Sequence, residues 1–237
     1  MRGPARLGRR SAPASRPSAR TRANDARAGP RRPWSCREIR GRAGRAAGRE
    51  RRSSGTGASG RTSRRGLVGG HGAGRADSAA YHLPLDAHLE HGNSALIAHR
   101  LGCVETAPFG VHRGRPIGVA GRFAEPGVPI GELIGRVSSL TAREPLLLGD
   151  GRDPVRSVGI ISGAGADSLP DAVTAGLDAF ITGEPREHVM ADARESGIHF
   201  IAAGHYATET FGIRRLGELV AERFGVEHVF VDIPNPV

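Results

Sequence analysis

The stretch VGIISGAGADSLPDAVTAGLDAFITG, residues 158–183, decides the fold of this chain. It opens with the apolar run Val158 to Ile161, which is typical of a buried strand. The glycine turn Ser162 to Gly165 follows, and a helix is predicted from Ser168 to Gly176. Ala179 to Thr182 is the next apolar run. This order predicts two strands of one sheet joined by a helical crossover.

The same alternation continues towards the C-terminus. We predict a helix from Glu184 to Ser196, a strand from Ile198 to Ala202, a helix from Ala207 to Phe224 and a final strand from Glu227 to Val231. Strands alternating with helices indicate the α/β class. Ligands of such sheets collect at the carboxyl ends of the strands, so chemistry is expected there.

The elements before residue 158 are less regular. Tyr81 to Leu85 is predicted as a strand, followed by the loop Asp86-Ala87-His88. Asn93 is a candidate N-terminal cap for a helix that ends at Gly102. The remaining predictions are strands between residues 107 and 127, a helix from Pro129 to Leu140 and a strand from Pro145 to Leu148.

Charge divides the chain into two unlike parts. The formal net charge of +10 combines +18 over residues 1–76 with −8 over residues 77–237. The first part holds one aromatic residue, Trp34, and five from the set Val, Ile, Leu, Met and Phe. So little apolar surface cannot offset the entropy of ordering the segment, and we expect residues 1–76 to be disordered.

Three interpretations fit this Arg/Gly/Ala/Pro-rich segment. Organelle transit peptides are rich in Arg and Ser, but they are amphipathic, and this segment has no apolar face. A nucleic-acid-binding tail is the second, since Arg binds phosphates in any sequence. We favour the third, a mistranslated or mis-started segment of GC-rich DNA. The chain has no lysine, and its character changes abruptly between Asp77 and Tyr81.

The remaining 161 residues are enough for one ordinary domain or two small ones. No run of 18 apolar residues occurs, which predicts no membrane span. The cysteines, Cys36 and Cys103, form no CxxC arrangement, so the sequence supports neither a disulfide framework nor a thiolate metal site. We expect a cytoplasmic protein.

His205 and Glu209 form the first candidate site. They lie in AGHYATETFG, residues 203–212, four positions apart where a helix begins. Positions i and i+4 share one face of a helix, so an imidazole and a carboxylate can converge on one metal ion. A surface helix pair is the commoner explanation of such spacing taken alone.

Asp86 is the second candidate. It lies in YHLPLDAH, residues 81–88, close to His82, His88 and His91. Borderline cations take carboxylate and imidazole ligands together, and this cluster offers both. The alternative is a solvated loop that contains several histidines by chance.

Two further features follow strand ends. Ser162-Gly-Ala-Gly has backbone N–H groups that could hold a phosphate, although a tight crossover is the commoner role of such a turn. Neither the dinucleotide nor the nucleoside triphosphate pattern of glycines is complete. Glu184, after the next strand, is a candidate to face the same cleft.

Five motifs in order, YHLPLDAH, ISGAGADS, FITGEPREH, AAGHYATE and VDIPNPV, resemble the GTP cyclohydrolase 1 type 2 homologue family, also known as Nif3-like dinuclear metal-centre proteins. The resemblance covers residues 80–237. It implies two similar α/β lobes, two divalent ions in the cleft between them and a ring-shaped homohexamer. Residues 77–126 then correspond to a remnant of the N-terminal lobe. Residues 127–237 form the C-terminal α/β portion, and the last strand is a candidate to return to the first lobe.

Metal ligands carry over residue by residue. The resemblance places the family's metal-binding Asp on Asp86, its C-terminal His on His205 and its bridging Glu on Glu209. The family's His-His-Gly motif is missing, and the incomplete N-terminal lobe offers only His71-Gly72 as a possible residual ligand. We therefore expect the chain to bind metal weakly and to fold poorly.

The leading function is a metal-dependent hydrolase with two ions of Zn, Mn or Fe and an unknown small-molecule substrate. His88 or Glu184 is the candidate general base, from position alone. A non-catalytic metal-binding ring scaffold is the second hypothesis. The third is nucleic-acid binding through the Arg-rich tail, since the acidic body is not expected to bind nucleic acid by itself.

Overall fold

A computed structural model describes residues 81–233 and residue 235. The Arg-rich segment, its predicted disorder and His71 lie outside the described residues. None of the helices among the described residues is long and apolar enough to cross a membrane.

A six-stranded sheet forms the centre of the described structure. Its strands are β1 (Glu105–His112), β2 (Arg115–Arg122), β3 (Leu146–Leu148), β4 (Ser157–Ile161), β5 (Ala179–Thr182) and β6 (His199–Ala202). Their order across the sheet is β1-β2-β4-β5-β6-β3. The central strands β4, β5 and β6 are parallel, and the other neighbours are antiparallel. The predicted α/β class is confirmed.

Six α-helices accompany the sheet in the described part of the chain. They are α1 (His82–Asp86), α2 (Asn93–Leu101), α3 (Ile130–Thr141), α4 (Leu169–Ala175), α5 (Val189–Ser196) and α6 (His205–Phe224). Helices α4 and α5 are the crossovers between the parallel strands. Gly102, Gly176 and Gly197 end α2, α4 and α5 in the left-handed conformation that glycine adopts without steric cost.

Both faces of the sheet are covered by helices. One apolar cluster joins α2, α3 and α6 to the sheet, and it includes Leu101, Leu133 and Phe211. The other joins α4 and α5 to the opposite face. There Phe180 lies between two aromatic rings, with centroids 6.1 Å from Phe109 and 5.9 Å from Phe200. Burial on both faces explains the continuous apolar runs of β4, β5 and β6.

The strand predicted over Tyr81 to Leu85 is wrong, because His82–Asp86 forms the short helix α1. Pro84 does not oppose this helix. It lies in the first turn, where backbone N–H groups have no partner within the helix. Asp86 is therefore the last residue of a helix and is buried, although a loop was predicted to carry it.

Three predictions further along the chain also need correction. The helix predicted from Glu184 begins at Val189. Glu184 itself is disfavoured in helical conformation, because it precedes Pro185. The strand predicted over Glu227 to Val231 is not formed, and no strand of the described sheet pairs with it. The helix predicted from Ala207 begins two residues earlier, at His205.

The predicted lobe boundary at residues 126–127 falls between β2 and β4. These two strands pair directly, with Val119 opposite Ile160. The described parts of residues 77–126 and 127–237 therefore share one sheet.

Candidate metal centre

The candidate site lies at the carboxyl ends of the parallel strands. The glycine turn after β4 is held there by two buried threonine hydroxyls. Thr208 accepts a hydrogen bond from the Gly163 N–H at 3.0 Å and donates to the Gly204 carbonyl at 2.9 Å. Thr182 accepts from the Gly165 N–H at 2.9 Å. The turn is thereby tied to the first turn of α6, which carries His205 and Glu209.

Three side chains converge at this position. His82 Nε2 lies 3.4 Å from Asp86 Oδ2 and 3.3 Å from Glu209 Oε1. One potential ligand atom from each residue lies within 4.8 Å of the other two. An imidazole and two carboxylates in this geometry could hold a divalent cation.

His205 lies against the other oxygen of Glu209. Its Nε2 is 3.4 Å from Glu209 Oε2, and its Nδ1 is 3.4 Å from Glu184 Oε2. The helical i, i+4 spacing predicted for His205 and Glu209 is confirmed. Metal-ligating histidines commonly direct their second ring nitrogen at a carboxylate, which fixes the tautomer and orientation of the ring.

Asp86 is the most enclosed of these side chains, at 8% exposure. Burial raises the pKa of its carboxyl group, because the charged form loses hydration. A hydrogen bond from Asn93 and the nearby His82 oppose this rise, and Glu209 adds to it. A bound cation would favour the charged form, so the buried carboxylate suits a metal ligand.

Gly163 forms one wall of the cluster. Its φ of +65° is one that glycine adopts readily, and a Cβ at this position would overlap the Glu209 carboxylate. The same Cβ would lie 3.1 Å from His205 Nε2. The missing side chain leaves room for the two predicted ligands, so the residues present fit a metal ion.

The structure does not support the phosphate interpretation of the glycine turn. The N–H groups of Gly163 and Gly165 are already bonded to Thr208 and Thr182, which leaves the turn as a tight crossover.

His88 and Cys103 lie outside this arrangement. His88 Nδ1 accepts hydrogen bonds from the backbone N–H groups of Glu90 and His91, within its own turn. Its role as a general base stays a prediction. Burial raises the pKa of the Cys103 thiol to about 12, so without a metal this group stays protonated near neutral pH.

His82 was not assigned as a ligand from the sequence. The signal was present, since His82 and Asp86 have the same i, i+4 spacing as His205 and Glu209. The sequence grouped His82 with His88 and His91 as imidazoles near Asp86, but the strand predicted here gave no helical face on which to pair His82 with Asp86.

The fold and the site together place the chain among α/β proteins that carry a cluster of imidazole and carboxylate groups at the carboxyl ends of parallel strands. A sequence profile of the family described as Duf34/NIF3 (NGG1p interacting factor 3) matches residues 75–236. The chain therefore belongs to the Duf34/NIF3 family.

Several relatives are similar over the same region. A protein of Pseudomonas aeruginosa named GTP cyclohydrolase 1 type 2 homolog is 43% identical over 66% of this chain and 62% of its own length. A protein of the same name from Vibrio cholerae is 45% identical over 67% of this chain and 63% of its length. The chain thus spans less than two thirds of the length of these relatives.

Solved structures agree on the fold. Protein ybgI, of unknown function, has 41% sequence identity and a TM-score of 0.60, and the match covers 67% of this chain and 62% of that one. TTHA1606 from Thermus thermophilus has 40% identity and a TM-score of 0.59, with the same coverage. Reduced HcgD from Methanocaldococcus jannaschii shares the fold at 20% identity, a TM-score of 0.53 and coverage of 63% and 58%.

Proposed function

We propose that this chain is a metal-dependent hydrolase whose site holds two divalent ions. The observation that carries the proposal is the position of Glu209 between two imidazoles. Its Oε1 faces His82 Nε2 at 3.3 Å, and its Oε2 faces His205 Nε2 at 3.4 Å. A carboxylate in this position can give one oxygen to each of two ions.

The other ligands divide between these two positions. Asp86 joins His82 on the Oε1 side of Glu209, which gives that position two carboxylates and one imidazole. His205 is on the Oε2 side, with Glu184 behind its Nδ1. The second position has fewer protein ligands among the described residues, and we expect it to bind its ion more weakly.

Two divalent ions at such a site would lower the pKa of a bound water and supply a nucleophile near neutral pH. The protein's own residues then have separate tasks. Glu184 holds the His205 ring in one orientation through Nδ1. The Thr208 and Thr182 hydroxyls hold the glycine turn, which keeps the space next to Glu209 open.

The similar proteins named GTP cyclohydrolase 1 type 2 homolog suggest a purine nucleotide as the first compound to test. The homohexamer implied by the resemblance and the cytoplasmic location expected from the sequence are further parts of this proposal.

Metal analysis of the purified full chain tests the proposal. The protein is dialysed against Zn²⁺ or Mn²⁺, washed and compared with Glu209→Gln and Glu218→Gln. Glu218 is a matched control, since it is exposed on the same helix and pairs with Arg215. We expect Glu209→Gln to lose bound metal and Glu218→Gln to retain it. Equal metal content in all three proteins would refute the proposed site.

A second measurement separates a hydrolase from a metal-binding scaffold. GTP hydrolysis is followed with and without added Mn²⁺ or Zn²⁺ in the wild type and in Glu209→Gln. Activity that requires the metal and Glu209 supports the hydrolase. A metal-loaded protein with no activity on GTP or on a panel of nucleotides would leave the scaffold hypothesis in its place.

A further inference from the structure

Asn93 is a buried polar residue that is not one of the proposed metal ligands. Only 3% of its surface is exposed. The sequence predicted it as the cap of α2, but the cap position belongs to Gly92, and no side chain caps that helix. Its amide group makes two contacts elsewhere.

The first contact is with Asp86. Asn93 Nδ2 donates a hydrogen bond to Asp86 Oδ1 at 2.7 Å. The second is with α6, where Asn93 Oδ1 accepts from the backbone N–H of Gly212 at 2.7 Å. One amide side chain therefore joins the carboxylate of a proposed metal ligand to the helix that carries two others, His205 and Glu209.

These partners fix which way the amide faces. A backbone N–H can only donate, so the amide oxygen must face Gly212 and the NH₂ group must face Asp86. The Asp86 oxygen that receives this bond, Oδ1, uses one of its lone pairs for it and is held towards Asn93. The other oxygen, Oδ2, is the one that lies 3.4 Å from His82 Nε2.

The packing at Gly212 shows that the link is close. A Cβ at Gly212 would lie 3.2 Å from Asn93 Oδ1 and 3.2 Å from Leu85 Cγ. The α6 backbone therefore lies directly against α1 and the start of α2. A glycine at this point lets the two ligand-bearing segments approach.

From this geometry we propose that Asn93 is a positioning residue of the metal centre. It holds Asp86 Oδ1 by a hydrogen bond, which leaves Oδ2 as the oxygen turned towards His82 and the ion, and it sets the position of α1 against α6. This inference rests on the proposed metal site. It adds a residue that touches no ion and acts through Asp86.

Cobalt binding to the full chain gives the test, because the absorption bands of Co²⁺ depend on its coordination number and geometry. In Asn93→Ala, Asp86 Oδ1 is released and can also reach the ion. We expect Zn²⁺ affinity, measured by competition with a chelator, to fall by about 10–100-fold, as is usual when a partner of a metal ligand is removed. We also expect the Co²⁺ spectrum at saturation to change.

Val137→Ala is the control for a loss of stability alone. Val137 is a fully buried core residue of α3 and belongs to the same apolar cluster as α2, yet it makes none of these polar contacts. We expect it to lower the unfolding midpoint and leave the Co²⁺ spectrum unchanged. Should Asn93→Ala fail to fold, Asn93→Gln takes its place. It keeps both hydrogen-bonding groups and displaces them by one methylene, so a changed spectrum is expected again.

The outcomes separate this proposal from the one on which it rests. A wild-type chain that binds no Co²⁺ or Zn²⁺ refutes the metal site, and the role of Asn93 falls with it. A wild type that binds metal, with Asn93 variants that match it in affinity and in spectrum, refutes only the positioning role.

Discussion

Asp86 combines burial, charge and the proposed ligand role in one residue. Its carboxylate is buried beside Glu209, and the resulting rise in pKa means that the charged form is unfavourable in the metal-free fold. A residue that costs stability without its ligand is typical of functional sites. Its replacement should therefore affect stability and binding in opposite directions.

We predict that Asp86→Asn stabilises the metal-free chain at pH 7 and weakens its metal binding. In the folded wild type the Asp86 pKa lies above its ordinary value of 3.8, so stability is lost as the pH rises through that raised pKa. The advantage of the variant should shrink as the pH falls and should be constant below about 3.8, where the carboxyl group is protonated in both states.

Urea unfolding at pH 4 and pH 7 with a chelator present measures this effect. Added Zn²⁺ should reverse the order, because the wild type gains more stability from binding. A variant that is less stable than the wild type at pH 7 without metal would contradict the prediction.

Gly163 is the second residue whose substitution should change both stability and metal affinity. We predict that Gly163→Ala lowers the free energy of unfolding by about 1–3 kcal/mol, because an alanine in this backbone conformation is strained. The new methyl group would also displace the Glu209 carboxylate, so metal affinity should fall.

Gly131→Ala in α3 is the matched control. A Cβ at Gly131 meets nothing within 4 Å, and alanine is favoured over glycine in a helix by about 0.5–1 kcal/mol. The control should therefore be stabilised and bind metal normally. Similar unfolding midpoints and metal affinities for the two variants would show that the close approach of Gly163 to Glu209 affects neither stability nor metal binding.

At the scale of the elements, the site depends on how α6 is attached to the turn after β4. Thr208 makes that attachment. Its side chain is 1% exposed, and its hydroxyl bonds to the turn at Gly163 and back to Gly204 at the start of the helix. Ligands on α6 keep their position only while this attachment holds.

We predict that Thr208→Val costs about 1–3 kcal/mol of stability, because the buried Gly163 N–H loses its partner while the size of the side chain is unchanged. Metal affinity should fall as well. Thr210→Val is the control, since the Thr210 hydroxyl bonds only to the Ala207 carbonyl of its own helix, at 3.3 Å. Urea unfolding and metal titration of both variants measure the difference, and an equal cost in both would rule out a special role for Thr208.

The elements also show which parts of the structure local sequence can predict. The strands and helices from Ser157 to Phe224 were found because long apolar runs and glycines mark them, and their order already placed Glu209 at a strand end. A segment as short as α1 has too few residues for its period to be recognised. Its conformation depends on contacts with α6, and contacts between such distant residues cannot be predicted from the local sequence.

The two polar contacts that complete the site were missed for the same reason. His82 is four residues from Asp86 and 127 from Glu209, and its approach to the second follows from the whole fold. Asn93 reaches Gly212 across 119 residues. Spacing within one helix predicted the His205 and Glu209 pair, but only the assembled structure brings α1 to it.

At the scale of the whole chain, a change in net charge and the start of the family match both fall close to residue 76. The net charge changes from +18 to −8 there, and the family profile matches from residue 75. The described part also contains an apolar segment with no strand to pair with. Val229, Val231 and Ile233 are 68%, 72% and 71% exposed, at alternate positions. This alternation is typical of a strand that has one face against a partner.

The change in charge, the start of the family match and the exposed apolar segment lead to one prediction about residues 1–76. If they are a mistranslated segment, the DNA before the Tyr81 codon should encode, in one of the other two frames, a strand followed by His-His-Gly. A chain made from that frame should bind two ions more tightly than the present chain. It should also protect the amides of residues 227–233 from hydrogen exchange, because the added strand would give this segment a partner to pair with.

The control for that experiment is the same extended chain with both new histidines changed to alanine. It should keep the amide protection and lose the gain in metal affinity, which separates completion of the fold from completion of the site. If no frame encodes the motif, the mistranslation hypothesis fails. Metal binding must then come from residues of the present chain, with His82, Asp86, His205 and Glu209 as its ligands among the described residues, and the exposed alternate residues need another partner.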